Sequence, residues 1–261
     1  MTAVLSLFPG FDLLGRAFRH HGFTVVAGPD LIVADDIRDF RSTPGMFGGV
    51  IGGPPCPDFS CARAASPIYD GDGVEMIIEF ARVVYESQPT WFLMENVPAV
   101  PDVRIAGYSV QRFDLTDYEC GGITLRWRHF QFGHRSGYIV RPRRRRSPNL
   151  ATSFEPAATT KTNEVPSFAE LCRRQGLTQT PKLPGWGKEA KHRLIGNAVP
   201  WKMGLTLAEA VDNCGPVTSR DCPCMCGRII TGNKTYADQS CRQRASRAKR
   251  FTQRPTISYG V

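Results

Sequence analysis

Short apolar runs alternate with amphipathic stretches through the N-terminal half of the chain. Ala3–Phe8 (AVLSLF) reads as a buried strand closed by Pro9-Gly10. Leu13–His21 then places Leu13, Leu14, Ala17 and Phe18 on one face, the period of a helix. Phe23–Ala27 predicts a second strand, closed by Gly28-Pro29, and Gly49–Ile51 a third, running into Gly52-Gly53-Pro54-Pro55. Val74–Ser87 carries Met76, Ile77, Phe80, Ala81 and Val84 at helical spacing, and Trp91–Met94 predicts a fourth strand. Apolar strands separated by helices predict an α/β fold with a mostly parallel sheet covered on both faces. Farther along, Phe168–Gln175 reads as a short helix, and Leu194–Val211 opens on IGNAVP and continues as an apolar-periodic helix.

In such sheets ligands bind in the loops beyond the carboxyl ends of the strands. That rule singles out Phe8-Pro9-Gly10, Gly28-Pro29-Asp30, Pro54-Pro55-Cys56 and Glu95-Asn96-Val97. One loop presents a thiol, Cys56, behind a stiff Gly-Gly-Pro-Pro run that allows close approach of a ligand. A thiol so placed reads either as an exposed nucleophile or as a small buried hydrophobe. Another loop presents Glu95, either an acid or hydrogen-bond donor facing a pocket or the cap of a surface turn.

Length and composition bound the rest. The 261 residues have room for one mid-sized domain and a small appendage, and 41% hydrophobic residues suffice for a core. No apolar run reaches the ~20 residues of a membrane span, and the N-terminus lacks the basic and small-residue features of a cleavable leader. The net charge of +9 is concentrated in residues 134–166 and 216–261. Two basic segments on a slightly acidic body suit a polyanion partner, or equally a solvated tail. Nine cysteines, an odd number, fit a reduced cytoplasmic protein better than a disulfide framework.

The motifs then fall into one order. LSLFPG, ADDIRDF, GGPPCPDFS, WFLMENV, GGITLRWRHFQFG, FAELCRRQGL and RLIGNAVPWKMG together resemble the DNA (cytosine-5) methyltransferase family, collinearly over about residues 4–211. The resemblance implies a Rossmann-like S-adenosylmethionine-dependent fold with residues 1–133 and 167–213 as catalytic domain. It implies Cys56 as the nucleophile, Glu95 as the contact to cytosine N3, and Arg126 and Arg128 as contacts to the base and catalytic loop. Phe8, Gly10, Asp12, Asp30, Asp36, Ile37, Pro54, Asn197 and Val199 would surround S-adenosylmethionine, with Asp36 near the adenine and Asp30 at the ribose. The sequence departs from the pattern at Asp12, which replaces a glycine, at Pro57 and Thr124, which each replace a glutamine, and in a short interval between Phe8 and Cys56.

A duplex hides its cytosines, so the base must be flipped out while basic side chains hold the phosphates. Residues 134–166 remain for target recognition. So small a region predicts a target of about two to three base pairs, with Arg141–Arg146 mainly on phosphates. Residues 214–261 form a basic tail whose Cys222, Cys224, Cys226 and Cys241 resemble a zinc knuckle. The expected protein is a cytoplasmic monomer acting on double-stranded DNA in a bacterium or phage-infected host. An RNA (tRNA) cytosine methyltransferase, a non-catalytic DNA-binding protein, and an enzyme with a changed donor or modified cytosine are the alternatives.

Overall fold

The computed structural model describes residues 3–55, 73–145, 147, 166–230, 234–239, 241–243 and 256–260. Along the chain, β1 (Val4–Leu7), α1 (Leu13–His21), β2 (Val25–Ala27), β3 (Gly49–Gly52), α2 (Gly73–Ser87) and β4 (Trp91–Asn96) follow the alternation that the hydrophobic pattern predicts. The second half adds β5 (Asp102–Ile105), β6 (Ser109–Thr116), β7 (Trp127–His134), α3 (Phe168–Arg174), α4 (Lys188–Asn197), α5 (Trp201–Asp212) and β8 (Thr256–Tyr259).

Six strands form the main sheet in the order β2-β1-β3-β4-β7-β6. The first four are parallel; β7 runs antiparallel to β4, and β6 antiparallel to β7. The chain leaves β1 for β2 on one side and returns to β3 on the other, so the strand order reverses beside β1 and opens a crevice above the strand ends. The sequence reading missed the antiparallel pair. Its strands carry buried polar residues, Gln111, His129, Gln131 and His134, that break the apolar signature. They are tolerated because they are hydrogen-bonded: Gln131 Nε2 donates to Pro101 O at 2.8 Å and its Oε1 accepts from Val103 N at 2.8 Å.

Two apolar layers cover the sheet. Leu14 and Phe18 of α1 join Met203 and Leu207 of α5 over Ile51, Leu93, Phe130 and Phe132. On the other face, Ile77, Phe80 and Val84 of α2 pack on Leu5, Leu7, Val50, Phe92 and Met94. Each such fully buried side chain contributes roughly 1.5–3 kcal/mol. The helix expected over Leu194–Val211 is two helices, because Pro200 has no N–H to continue α4 and instead precedes the first turn of α5. Near the C-terminus, β8 pairs in parallel with β5, and Tyr259 stacks edge-on against Tyr85 of α2 at 5.4 Å. Among the described residues no helix is long and apolar enough to cross a membrane.

Candidate active site and cysteine cluster

The first two strand ends are tied together. Phe8 turns the chain at φ +51° and Gly10 at +54°. Phe8 N donates to Pro29 O at 3.2 Å, and Gly10 N to Asp30 Oδ2 at 2.7 Å. The other Asp30 oxygen accepts from Ile32 N at 2.8 Å, so one buried carboxylate locks both loops. Asp12, where the family pattern has glycine, adopts φ +54° and caps α1, accepting from Gly15 N at 3.2 Å and Ser6 Oγ at 3.0 Å and pairing with Arg19. Asp36 accepts from Arg38 N at 2.9 Å, which with the adjacent guanidinium holds its carboxyl below the usual range. Ile37 is buried in the layer under α2, Asn197 ends α4, and Val199 is buried beneath the turn into α5.

The second pair of strand ends carries the charged residues. β4 continues past the predicted Met94, so Glu95 and Asn96 are its last residues and point to opposite faces. Glu95 lies opposite Phe130 of β7, and Arg128, two residues along, shares its face. Arg128 Nε meets Glu95 Oε1 at 2.9 Å, with both side chains only 10% exposed. Glu95 is therefore half of a buried ion pair, not a carboxyl alone in an apolar pocket. Its other oxygen faces Gly53, where a Cβ would come within 2.9 Å of it. Asn96 Nδ2 donates to Pro54 O at 3.1 Å, fixing the start of the Pro-Pro turn. Cys56 and residues 57–72 lie outside the described residues.

Arg126 is buried one residue before β7, its carbonyl accepting from Asp117 N at 3.0 Å. Asp117 is a site residue the sequence reading missed. Burial pushes its carboxyl up, opposed by bonds from Thr124 N and Oγ1 at 3.0 and 2.9 Å and by the Arg126 charge. Thr124 thus clasps the turn that aims the two arginines. The available signal was Gly121-Gly122, because any side chain at Gly122 would overlap the Asp117 carboxylate.

The basic run is more engaged than its sequence suggests. Arg141 pairs with Asp221 through two bonds of 2.7 and 2.6 Å, and Arg144 with Glu119 at 2.7 Å. Those two side chains hold the protein together, which narrows the phosphate-facing expectation among described residues to the exposed Arg143 and to Arg145, which is exposed but also pairs with Glu209 at 3.2 Å. Arg146 and residues 148–165 lie outside the described residues.

Cys222, Cys224, Cys226 and Cys241 converge, with all their sulfurs within 4.8 Å of one another. Cys222 and Cys224 are separated by 3.5 Å and Cys226 and Cys241 by 3.6 Å. A tetrahedral zinc site with Zn–S of ~2.3 Å places its sulfurs ~3.8 Å apart, so the donor set fits such an ion. Met225 and Gly227 take φ values of +57° and +74°, bending the backbone to bring the first three thiols round.

Residues 31–134 match the family model for C-5 cytosine-specific DNA methylases. The chain is 38% identical over 102 residues to the type II methyltransferase M.HgiDI of Herpetosiphon aurantiacus, covering 35% of this chain and 32% of that one. It is 30% identical over 161 residues to M.FnuDI of Fusobacterium nucleatum, covering 51% and 46% respectively. The chain therefore spans a third to a half of the length of these curated relatives. Among solved structures, a prophage-encoded E. coli protein described as a DNA modification methyltransferase superposes with a TM-score of 0.60 at 16% identity, covering 82% of this chain and 99% of that one. The Dnmt2 methyltransferase of S. pombe gives 0.54 at 11%, covering 81% and 99%. Both share the α/β architecture. Over residues 31–134 the chain is similar to the C-5 cytosine-specific DNA methylases.

Proposed function

We propose that the protein transfers a methyl group from S-adenosylmethionine to C5 of a flipped-out cytosine in double-stranded DNA, acting as a monomer in the bacterial cytoplasm. The observation that carries this is the buried Glu95–Arg128 pair beside Gly53 and Pro54, the residues that lead into Cys56 in the sequence. C5 of cytosine is a poor nucleophile. Addition of the Cys56 thiolate to C6 makes the ring enamine-like and C5 nucleophilic. Glu95 serves as the acid that places a proton on N3 as the thiolate adds, so the ring stays neutral, while Arg128 at O2 stabilises the density drawn there and Arg126 supports them. Loss of the C5 proton to a base then expels the thiolate and restores the ring.

S-adenosylmethionine, when bound, supplies the methyl group that C5 accepts. The loops of β1 and β2 suit it. A Cβ at Gly10 would meet nothing within 4 Å, so the turn faces open space. Asp30 uses one bond per oxygen and keeps lone pairs for a ribose hydroxyl. Phe8, Gly10, Asp12, Asp30, Asp36, Ile37, Pro54, Asn197 and Val199 are the residues assigned to hold it. Arg143, Arg145 and the basic tail are assigned to phosphates, and the small 134–166 region to a target of about two to three base pairs.

The four-thiol cluster is assigned zinc, held by Cys222, Cys224, Cys226 and Cys241. Metal analysis of purified protein is expected to find about one equivalent, and less than about half an equivalent rejects it. Mass spectrometry of nucleosides from DNA incubated with enzyme and S-adenosylmethionine tests the reaction. It should find 5-methylcytosine, and its absence from DNA together with its presence in tRNA would reassign the substrate.

A further inference from the structure

The cysteine cluster sits on the catalytic body, at the point where the chain leaves for the target-recognition region. Gly227 packs so tightly on that departing strand that a Cβ would come within 2.7 Å of both Val140 O and Pro142. Gln111 of β6 joins the two, its Nε2 donating to Val140 O at 3.0 Å and to Met225 O at 2.9 Å, while Val140 N returns a bond of 2.8 Å to Gln111 Oε1. Met225 lies between two of the thiols and Gly227 follows the third. On one flank Asp221, next to Cys222, clasps Arg141 and accepts from Thr218 N at 2.7 Å. On the other, Arg228 reaches Glu119 at 3.2 Å, and the same carboxylate holds Arg144 at 2.7 Å.

Cys222 to Cys226 is a short segment without helix or strand, and among the described residues its apolar partners are few: Ile230, Tyr236 and Ala237. So small a core cannot order the segment by hydrophobic burial alone. A metal held by four thiolates would, with the thiol protons released to solvent on binding.

We propose that zinc at Cys222, Cys224, Cys226 and Cys241 acts as a staple that fixes the Val140–Arg145 stem on β6, and so sets the pose of the target-recognition region on DNA without touching the S-adenosylmethionine site. This rests on the zinc assignment above. The ion is structural, closed by four protein ligands, and takes no part in methyl transfer.

The test compares the full-length protein as purified with Cys226→Ser and Asp221→Asn. Zinc content is read by elemental analysis, amide exchange by mass spectrometry, DNA affinity on a mixed-sequence duplex by anisotropy, and S-adenosylmethionine affinity by calorimetry. Asp221→Asn, which leaves all four thiols in place, should keep its zinc, expose the amides of 139–145 to faster exchange, and weaken DNA binding at least tenfold with cofactor affinity changed less than twofold. Cys226→Ser should lose zinc and show the same separation; if that variant does not fold, the wild-type protein stripped of zinc by a chelator is compared with the zinc-loaded protein in the same measurements, and unmoved stem amides and DNA affinity there overturn the staple. Zinc-loaded wild type whose stem amides and DNA affinity are unmoved in Asp221→Asn overturns the staple while leaving the zinc assignment standing. Protein purified without zinc overturns both.

Discussion

Glu95 on β4 and Arg128 on β7 meet at 2.9 Å across the antiparallel seam of the sheet, an ion pair that joins β4 to the Arg-x-Arg strand. Its burial makes the partners unequal in mutation. Arg128→Ala takes the guanidinium away from a buried carboxylate, which should cost about 3 kcal/mol of folding stability. Glu95→Gln keeps an acceptor for Arg128 and should cost about 1 kcal/mol or less, yet lower kcat on the order of 100-fold by losing the acid that protonates N3. Calorimetric unfolding and single-turnover transfer check both. Equal destabilisation by the two variants would contradict the pairing argument.

Gly53 is needed for space. An added methyl at 2.9 Å from Glu95 Oε2 forces the carboxylate to swing aside. Gly53→Ala should therefore slow transfer by about 100-fold, the usual effect of displacing a reacting group by about an ångström, while S-adenosylmethionine affinity stays within twofold. An alanine variant with normal kcat would show that the carboxylate position is not critical.

Asp30 holds the loops after β1 and β2 through Gly10 N and Ile32 N. Asp30→Ala unpairs those two donors, at about 1–3 kcal/mol each where they are buried. The Kd for S-adenosylmethionine should rise on the order of tenfold or more, measured by titration calorimetry. Asp30→Asn should recover part of that loss, since its amide oxygen still accepts. An unchanged Kd in the alanine variant removes Asp30 from the cofactor site.

Burial holds the His129 imidazole below its ordinary value of 6.5, against the opposing pull of Asp114 at 2.6 Å and with Arg112 and Asp102 nearby. The unfolded chain then binds the proton more readily than the folded one. The contribution is full above pH 6.5 and is lost as pH falls from there to the depressed folded value. His134 and His192 are shifted in the same direction by burial. Stability should decline below pH 6.5, with His129→Gln removing at most about 1.4 kcal/mol per pH unit of that slope. Denaturant unfolding at pH 7.5, 6.5 and 5.5 measures it, and identical slopes for wild type and variant would contradict it.

The half of the fold built from alternating apolar elements was readable directly. Leu13–His21 is a helix over the residues its period marks, with Asp12 as cap and Gly22 at the other end. The antiparallel strands β6 and β7 were hidden because Gln111 and Gln131 are buried there through hydrogen bonds to distant backbone and His129 through one to the Asp114 carboxylate, which local periodicity does not register. Glu95, Arg126 and Arg128 were legible as motif residues. That Glu95 pairs with Arg128 depends on strand register, and that Asp117 supports the arginines depends on a turn, so neither could be read from spacing. The four tail thiols were legible from their proximity in sequence, whereas the parallel return of β8 onto β5 joins segments too far apart for any local signal.

The most direct measurement is covalent trapping on duplex DNA in which every cytosine carries a C5 fluorine, with S-adenosylmethionine present. The fluorine cannot leave as the proton does, so the sulfur–C6 bond should persist. Wild type should form a protein–DNA adduct that survives denaturation, and Cys56→Ser should form none. No adduct with wild type, or an adduct that persists in Cys56→Ser, would contradict it.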